Sequence, residues 1–349
     1  MPVLEISNLC KRFNLEAGFF ARYGQFVNAV NGVSFAINKN ESYGLVGESG
    51  CGKTTTARLL VRMYDADEGS IKYYQEENDE QPLEVLTLRG EKLKSYRNKV
   101  RYVFQDPARS LNPRMSVYEI LVSGLRWSGY SSSAGLHRSP GRTKRKEKLL
   151  EEQARYALVE VGLSPDDLKR RPAEFSGGQR QRISIARGLL VQPRLLICDE
   201  VVSALDVSIQ GQILNLLLDI RDKRDISFLF IAHDLKVACY FCDRIGVMYA
   251  GELMEEAPAA ELYRAALHPY TRLLFASARA ADSMSPAFQS GISGTPLPPS
   301  DKIKPLPTEN NSPSRCSFAD RCPHVMNRCY TEKPVLKEAA SGHLTRCHL

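Results

Sequence analysis

The chain has 349 residues, 43% hydrophobic and 25% charged, with a formal net charge of +7. This is ordinary globular composition, long enough for one large domain plus additions. No apolar run approaches the roughly 18 residues of a membrane span, and the opening Met1-Pro2-Val3-Leu4-Glu5-Ile6 alternates like a strand instead of a signal peptide. The expectation is a chain that stays in the cytosol by itself. If it moves anything across a membrane, other subunits supply the pore.

Residues 3–13 and 30–37 read as strands of an N-terminal antiparallel layer. Tyr43, Leu45 and Val46 read as a short buried strand, and Thr55 to Met63 as a helix. Between them stands Gly47-Glu48-Ser49-Gly50-Cys51-Gly52-Lys53-Thr54, a complete G-x-x-x-x-G-K-[ST] phosphate loop in its strand–loop–helix setting. Glycines let successive N–H groups point at phosphate oxygens, and the helix adds its positive end. Lys53 is expected at the β- and γ-phosphates and the Thr54 hydroxyl on Mg²⁺, with Thr55 completing the nucleotide-binding run. The Cys51 thiol, set among amides, is expected to be somewhat activated.

Residues of about 107–180 read as a helical insertion. One apolar-periodic segment carries Val117, Ile120, Leu121 and Leu125; another carries Leu149, Leu150, Tyr156, Leu158, Val159 and Val161. Residues 138–148 hold six Lys/Arg against one Glu, which suits a solvated loop or contact with anionic headgroups. No aromatic-interleaved basic face is present, so no nucleic-acid partner is expected.

Phe175-Ser176-Gly177-Gly178-Gln179 precedes a helical pattern (Ile183, Ile185, Ala186, Leu189, Leu190). It reads as a helix N-terminus with bare N–H groups, a second anion site, or as a plain N-cap at Ser176. Beside a P-loop, a second cradle suggests half-sites that meet only in a dimer. Leu195-Leu196-Ile197-Cys198-Asp199-Glu200 reads as a buried parallel strand ending in acid. Ligands sit at such carboxyl ends, so Asp199 is expected in the Mg²⁺ shell and Glu200 as general base; the plainer reading is a core strand that ends at the surface. Phe228–Ala232 and Ile245–Tyr249 continue a parallel sheet. Cys10, Cys198 and the pair Cys239 and Cys242 read as packing.

Residues 284–313 hold seven prolines and read as an extended connector. Cys316, Cys322, Cys329 and Cys347 follow with C-x5-C-x6-C-x17-C spacing. In a cytosolic chain, clustered cysteines favour metal over disulfide. The wide intervals suit a [4Fe–4S] cluster. The alternatives are Zn²⁺ on the four cysteines, mixed Zn²⁺ ligation with His324, His343 or His348, and free thiols. The connector is expected to keep this tail apart from the P-loop unit.

Three further stretches fall in order with these motifs: Phe104-Gln105-Asp106-Pro107, Ser203-Ala204-Leu205-Asp206 and Ile231-Ala232-His233-Asp234. Together the six resemble the ATPase subunit of ABC transporters over roughly residues 1–270. The resemblance implies an α/β P-loop NTPase fold: a parallel sheet with helices on both faces, an N-terminal antiparallel β layer, the inserted helical subdomain and a small Cys-rich C-terminal extension. It implies a nucleotide-binding domain at 1–266 and an extension at 267–349. It implies Gln105 as a Q-loop residue at the Mg²⁺, Asp206 as a D-loop residue and His233 as the γ-phosphate switch, with Glu200, His233 and Lys53 catalytic. Each ATP would be closed by Ser176, Gly177, Gly178 and Gln179 of a second ATPase subunit, a paralogue or another copy. Tyr23 or Phe13 would stack on adenine, Tyr23 being preferred by its wording.

Ser110-Leu111-Asn112-Pro113-Arg114-Met115 and His268-Pro269-Tyr270-Thr271 resemble the ATPases of dipeptide and oligopeptide importers, a branch shared with nickel importers. The tail, including Arg321-Cys322-Pro323, resembles their cysteine segment. The implied function is ATP hydrolysis driving peptide uptake at the cytoplasmic face of the cell membrane. The implied partners are two transmembrane permease subunits and an extracytoplasmic substrate-binding protein. Nickel, glutathione or another small solute is the alternative cargo, and a soluble ABC ATPase the alternative class.

Overall fold

The computed structural model describes residues 1–14, 26–75, 81–127, 140–282 and 314–349. Tyr23 and the connector 284–313 lie outside the described residues. Two sheets organise the rest. The first is antiparallel, in the order β2-β1-β4-β5, from β1 (Pro2–Asn14), β2 (Phe26–Asn38), β4 (Glu68–Tyr73) and β5 (Leu83–Glu84). The two predicted N-terminal strands are thus present and longer than expected, because their pairing runs from Pro2 against Asn38 to Asn14 against Phe26 through several register shifts. Alternation breaks at each shift, which hid the full length from a period-2 reading.

The second sheet is built on five parallel strands in the order β9-β3-β8-β7-β6: β3 (Ser42–Val46), β6 (Val100–Val103), β7 (Leu195–Asp199), β8 (Ser227–Ala232) and β9 (Arg244–Tyr249). Every residue of β3, β7 and β8 is buried. Both faces are covered, which is why these strands read as continuous apolar runs. Strand β7 has the predicted bounds. The helix after the P-loop runs Lys53–Leu60 and stops before Met63, because Arg62 turns left-handed at φ 58°.

The insertion is helical, at Pro107–Ser110, Val117–Trp127 and Pro140–Glu160. Val117, Ile120, Leu121 and Leu125 are buried as the pattern predicts. In the second segment Leu150, Leu158 and Val161 are buried, but Leu149, Tyr156 and Val159 face outward.

The tail is not held apart. Strand β10 (Glu252–Pro258) pairs antiparallel with β9; β12 (His343–Thr345) then pairs with β10, and β11 (Lys337–Ala340) with β12. The C-terminal hairpin therefore extends the ATPase sheet, and the tail covers a backbone edge that β10 would otherwise leave open. The fully buried Glu255 pins the junction. Its carboxylate accepts from the N–H of Leu267 (2.6 Å) and of His268 (3.0 Å) and meets His343 Nε2 at 2.7 Å. The Nε2 of His343 is thus engaged by Glu255. Phe318, Ala319, Cys316 and Cys329 belong to the same apolar core as β8 and β9.

His268 is 1% exposed and its Nδ1 accepts from the Tyr270 N–H (3.0 Å). Burial pushes its imidazole down to about 4. The folded state therefore refuses a proton that the unfolded chain accepts below about 6.5. Stability from this group is complete above about pH 6.5 and falls as pH drops toward about 4, by at most about 3 kcal/mol. Urea unfolding of the wild type and of His268→Gln should show a shallower loss between pH 6.5 and 4 in the variant; parallel pH profiles would reject this origin of acid sensitivity.

Candidate nucleotide-binding site

The parallel strands end at one edge, and each delivers a loop there. Val46 of β3 is level with Ala232 of β8 and Val247 of β9, and Asp199 of β7 with Ile231. The P-loop, Asp199–Glu200, His233 and the Tyr249–Gly251 turn therefore meet at the carboxyl edge, where α/β sheets bind ligands. A cleft of about 300 Å³ lies there, lined by P-loop residues with Phe26, Gln105, Glu200, Tyr249, Arg315 and Ser317 among others.

The P-loop is wedged in place. Gly52 has φ 109°, and a Cβ there would stand 2.2 Å from the Ala29 carbonyl. At Gly47 a Cβ would stand 2.2 Å from the Met248 carbonyl. No other residue type fits either position. Lys53, 4% exposed, donates from Nζ to the carbonyls of Gly47 (2.7 Å) and Glu48 (2.9 Å), which curls the loop around the ammonium. Cys51 is buried beneath the loop, and burial raises its thiol despite the nearby Lys53. The expected activation of Cys51 is therefore not realised: desolvation disfavours the thiolate.

Asp199 is 2% exposed. One carboxylate oxygen accepts from the Thr54 hydroxyl at 3.0 Å and the other from the Tyr102 hydroxyl. Burial and the Asp199 charge both push the Tyr102 hydroxyl up, so it stays a donor. Glu200 has φ 48°, a left-handed conformation that costs a non-glycine residue energy and is typical of functional sites. Its N–H donates to the Ile231 carbonyl (3.1 Å), and its Oε2 accepts from Gln105 Nε2 (2.6 Å). Thr54, Gln105 and Glu200 line the cleft, and Asp199 stands behind Thr54, bonded to its hydroxyl.

His233 is exposed and followed by Asp234, whose carboxylate caps the next helix at the Lys236 N–H (2.8 Å). Asp206 is exposed at the start of the helix Val207–Arg224. Ser176 caps the helix Gly177–Leu189 in a reciprocal box with Gln179, at 3.3 Å and 3.0 Å. Ser176 to Gln179 do not line the cleft of their own chain.

Of the two aromatic candidates, Phe13 packs edge-on against Tyr64 (5.4 Å between centroids), away from the cleft lining, and Tyr23 lies outside the described residues. The structure instead places Phe26, 55% exposed, on the cleft wall. Its signal in the sequence is weak: an aromatic at the start of a strand, three residues beyond the preferred Tyr23. Arg315 and Ser317 were also missed, because nothing in a Pro-rich connector announces that the chain returns to the P-loop.

Cys316, Cys322, Cys329 and Cys347 line one small cavity together with His324 and His348, two of the candidate mixed ligands, whereas His343 is not among its lining residues. Burial pushes the Cys316 thiol up to about 11, and the facing thiols of Cys329, Cys347 and Cys322 add to this. Among the described residues, however, no group of three or more His, Cys, Asp or Glu is arranged to hold a metal ion. Cys239, pushed up to about 12 by burial, and the buried Cys242 are packing residues, as read from the sequence.

Comparison with known proteins agrees with this geometry. The chain matches the ABC transporter family over residues 30–203 and the C-terminal region of oligopeptide/dipeptide transporters over residues 254–329. It is 40% identical over 349 residues to the oligopeptide transport ATP-binding protein AppF of Bacillus subtilis, spanning 99% of this chain and 97% of the relative. Its fold resembles an ATP-binding cassette solved as a post-hydrolysis dimer with ADP and Pi (TM-score 0.58, 23% identity, covering 73% of this chain and 98% of that one). It also resembles an ABC transporter cassette in its ADP conformation (TM-score 0.60, 23% identity, 79% and 98%). The chain belongs to the ATP-binding subunits of the ABC transporter family, and its chemistry is ATP hydrolysis. Among the described residues no helix is long and apolar enough to cross a membrane.

Proposed function

We propose that this subunit hydrolyses ATP to drive uptake of di- or oligopeptides through two permease subunits, fed by an extracytoplasmic binding protein, at the cytoplasmic face of the membrane. The full-length likeness to an oligopeptide transport ATP-binding protein carries this reading. Residues 1–266 act as the nucleotide-binding unit, and 267–349 as an extension docked on it. Glu200 is the general base, held by Gln105 at 2.6 Å so that its carboxylate faces the cleft. Lys53 and the loop amides stabilise charge on the transferred phosphoryl group, the main source of rate enhancement in phosphoryl transfer. Thr54, Asp199 and Gln105 would hold Mg²⁺, which when bound would offset the negative charge of the phosphates. His233 keeps Glu200 in register with the γ-phosphate. Phe26 stacks on the base, supported by its exposure on the cleft wall. A second ATPase subunit supplies Ser176, Gly177, Gly178, Gln179 and Asp206 to the same ATP.

The cysteine cavity takes a [4Fe–4S] cluster in this reading. A single tetrahedral ion needs sulfur atoms about 3.8 Å apart, from Zn–S bonds of about 2.3 Å. A four-iron cube spreads its thiolates wider, and four thiols around one cavity suit it.

Glu200→Gln should retain ATP binding and lose turnover by at least about a hundredfold, the usual share of general base catalysis, whereas Lys53→Ala should weaken binding itself. Hydrolysis by Glu200→Gln within about threefold of wild type, under about 1 kcal/mol, would remove Glu200 from the role.

Phe26→Ala should raise the Kd for ATP by an amount equivalent to about 1–3 kcal/mol of stacking. If Tyr23→Ala does this and Phe26→Ala does not, the base stacks on Tyr23.

Protein purified without oxygen should be brown and carry about four irons per chain, with colour lost in Cys329→Ser. A colourless anaerobic preparation with one zinc per chain would replace the cluster by structural zinc.

A further inference from the structure

The tail reaches the P-loop through one side chain. Arg321 Nη1 and Nη2 donate to the two carboxylate oxygens of Glu48 at 2.8 Å and 2.7 Å, the fork-to-fork geometry of a strong charge-assisted pair. Glu48 is the second residue of the phosphate loop, a carboxylate directly before Ser49 and Gly50 of the cleft wall, so a bound triphosphate brings negative charge near it. Unpaired, it would oppose that ligand. The same loop residue is held a second time: its N–H donates to the Tyr270 hydroxyl at 3.0 Å. Tyr270 packs against Tyr249 (4.8 Å) and Phe318 (5.3 Å), and Arg321 lies over Tyr249 and Phe318 at 5.5 Å and 5.8 Å. Two residues of otherwise unexplained stretches, Tyr270 of the His-Pro-Tyr segment and Arg321 of the cysteine tail, therefore grip one P-loop residue. Arg315 and Ser317, from the same tail, line the nucleotide cleft.

We propose that Arg321 is a positioning residue of the ATP site: it cancels the charge of Glu48 and fixes the phosphate loop through it, so that the C-terminal segment is a working wall of the nucleotide pocket. The inference rests on the ATP reading above and goes beyond it by assigning the tail a part in binding. Reciprocity follows: if the docked tail strengthens ATP binding, ATP must strengthen tail docking by the same factor.

The test is the Kd of a fluorescent ATP analogue, with Mg²⁺, on the full chain. Arg321→Ala should raise Kd about tenfold, a coupling of ordinary size for a paired contact, and should raise KM more than it lowers kcat. Arg321→Lys keeps the charge but not the fork and should fall between. The decisive arm is Glu48→Gln/Arg321→Ala, which removes the unpaired carboxylate and should bring Kd back to within about threefold of wild type. A merely structural role for Arg321 would leave the double variant as weak as Arg321→Ala, and that result overturns the proposal, as does wild-type affinity in Arg321→Ala. If Arg321→Ala does not fold, wild-type affinity in Arg321→Lys overturns it instead. ATP should also slow amide exchange at residues 315–322 in the wild type and not in Arg321→Ala; equal exchange in both counts against the linkage. Failure of the wild type itself to bind the analogue would defeat the ATP reading, a different outcome from any of these.

Discussion

The close approach of the P-loop backbone to its neighbours is the constraint on which the rest of this site depends. Gly47 lies against the Met248 carbonyl of β9 and Gly52 against the Ala29 carbonyl of β2, each with no space for a Cβ. The loop is thus clamped between the parallel core and the antiparallel layer. Lys53 then satisfies two of the loop's own carbonyls and is buried as a consequence. Asp199 can reach Thr54 only because β7 and β3 flank β8 in register, so that their ends are level. A phosphate site preorganised in this way needs little rearrangement when charge develops.

The same logic changes the meaning of the C-terminal segment. A Pro-rich connector predicts an appendage, yet β10, β12 and β11 continue the ATPase sheet, and Glu255 fastens the tail through backbone N–H groups and His343. A buried carboxylate with three partners is costly to break on one side, since the remaining charge stays buried. The cysteine cavity is consequently built on the wall that also carries Tyr249, Tyr270 and Phe318. Phe318, which lines that cavity, packs against Tyr270, and Tyr270 bonds the P-loop.

The P-loop, the Asp199–Glu200 end and the His233 loop were legible in the sequence because each joins a fully buried strand to a motif of fixed wording. Strand β7 needed only its apolar run and terminal acids. Features that depend on register or on distant contact were not legible. Strand β4 carries Glu68, Gly69, Ser70 and Lys72 among its six residues and has no clear alternation; it is a strand because β1 pairs with it. Phe26 resembles any strand residue until the cleft is seen. The Glu48–Arg321 pair spans 273 positions, a separation no local pattern encodes. Tyr156 and Val159 fit a helical period but face solvent, since periodicity fixes a face and not what covers it.

The segment at Ser176 shows how two competing readings become one. As a cap, Ser176 bonds the Gln179 N–H and Gln179 bonds back to Ser176. That box uses side chains to satisfy two donors. It leaves the first-turn N–H groups of Gly177 and Gly178, which helix geometry gives no partner within the helix. The cap therefore orders the turn without using up the N–H groups of Gly177 and Gly178, so a capping role and an anion-binding role do not exclude each other. Gly178 is further required on packing grounds, because a Cβ there would stand 2.7 Å from Ile209 Cγ2. The contact ties this turn to the helix that begins at Val207, directly after Asp206. The exposed Asp206 and the Ser-Gly-Gly turn are thereby neighbours in the fold. A patch of bare N–H groups that does not line its own chain's cleft supports the reading in which the second half of each ATP site comes from another subunit.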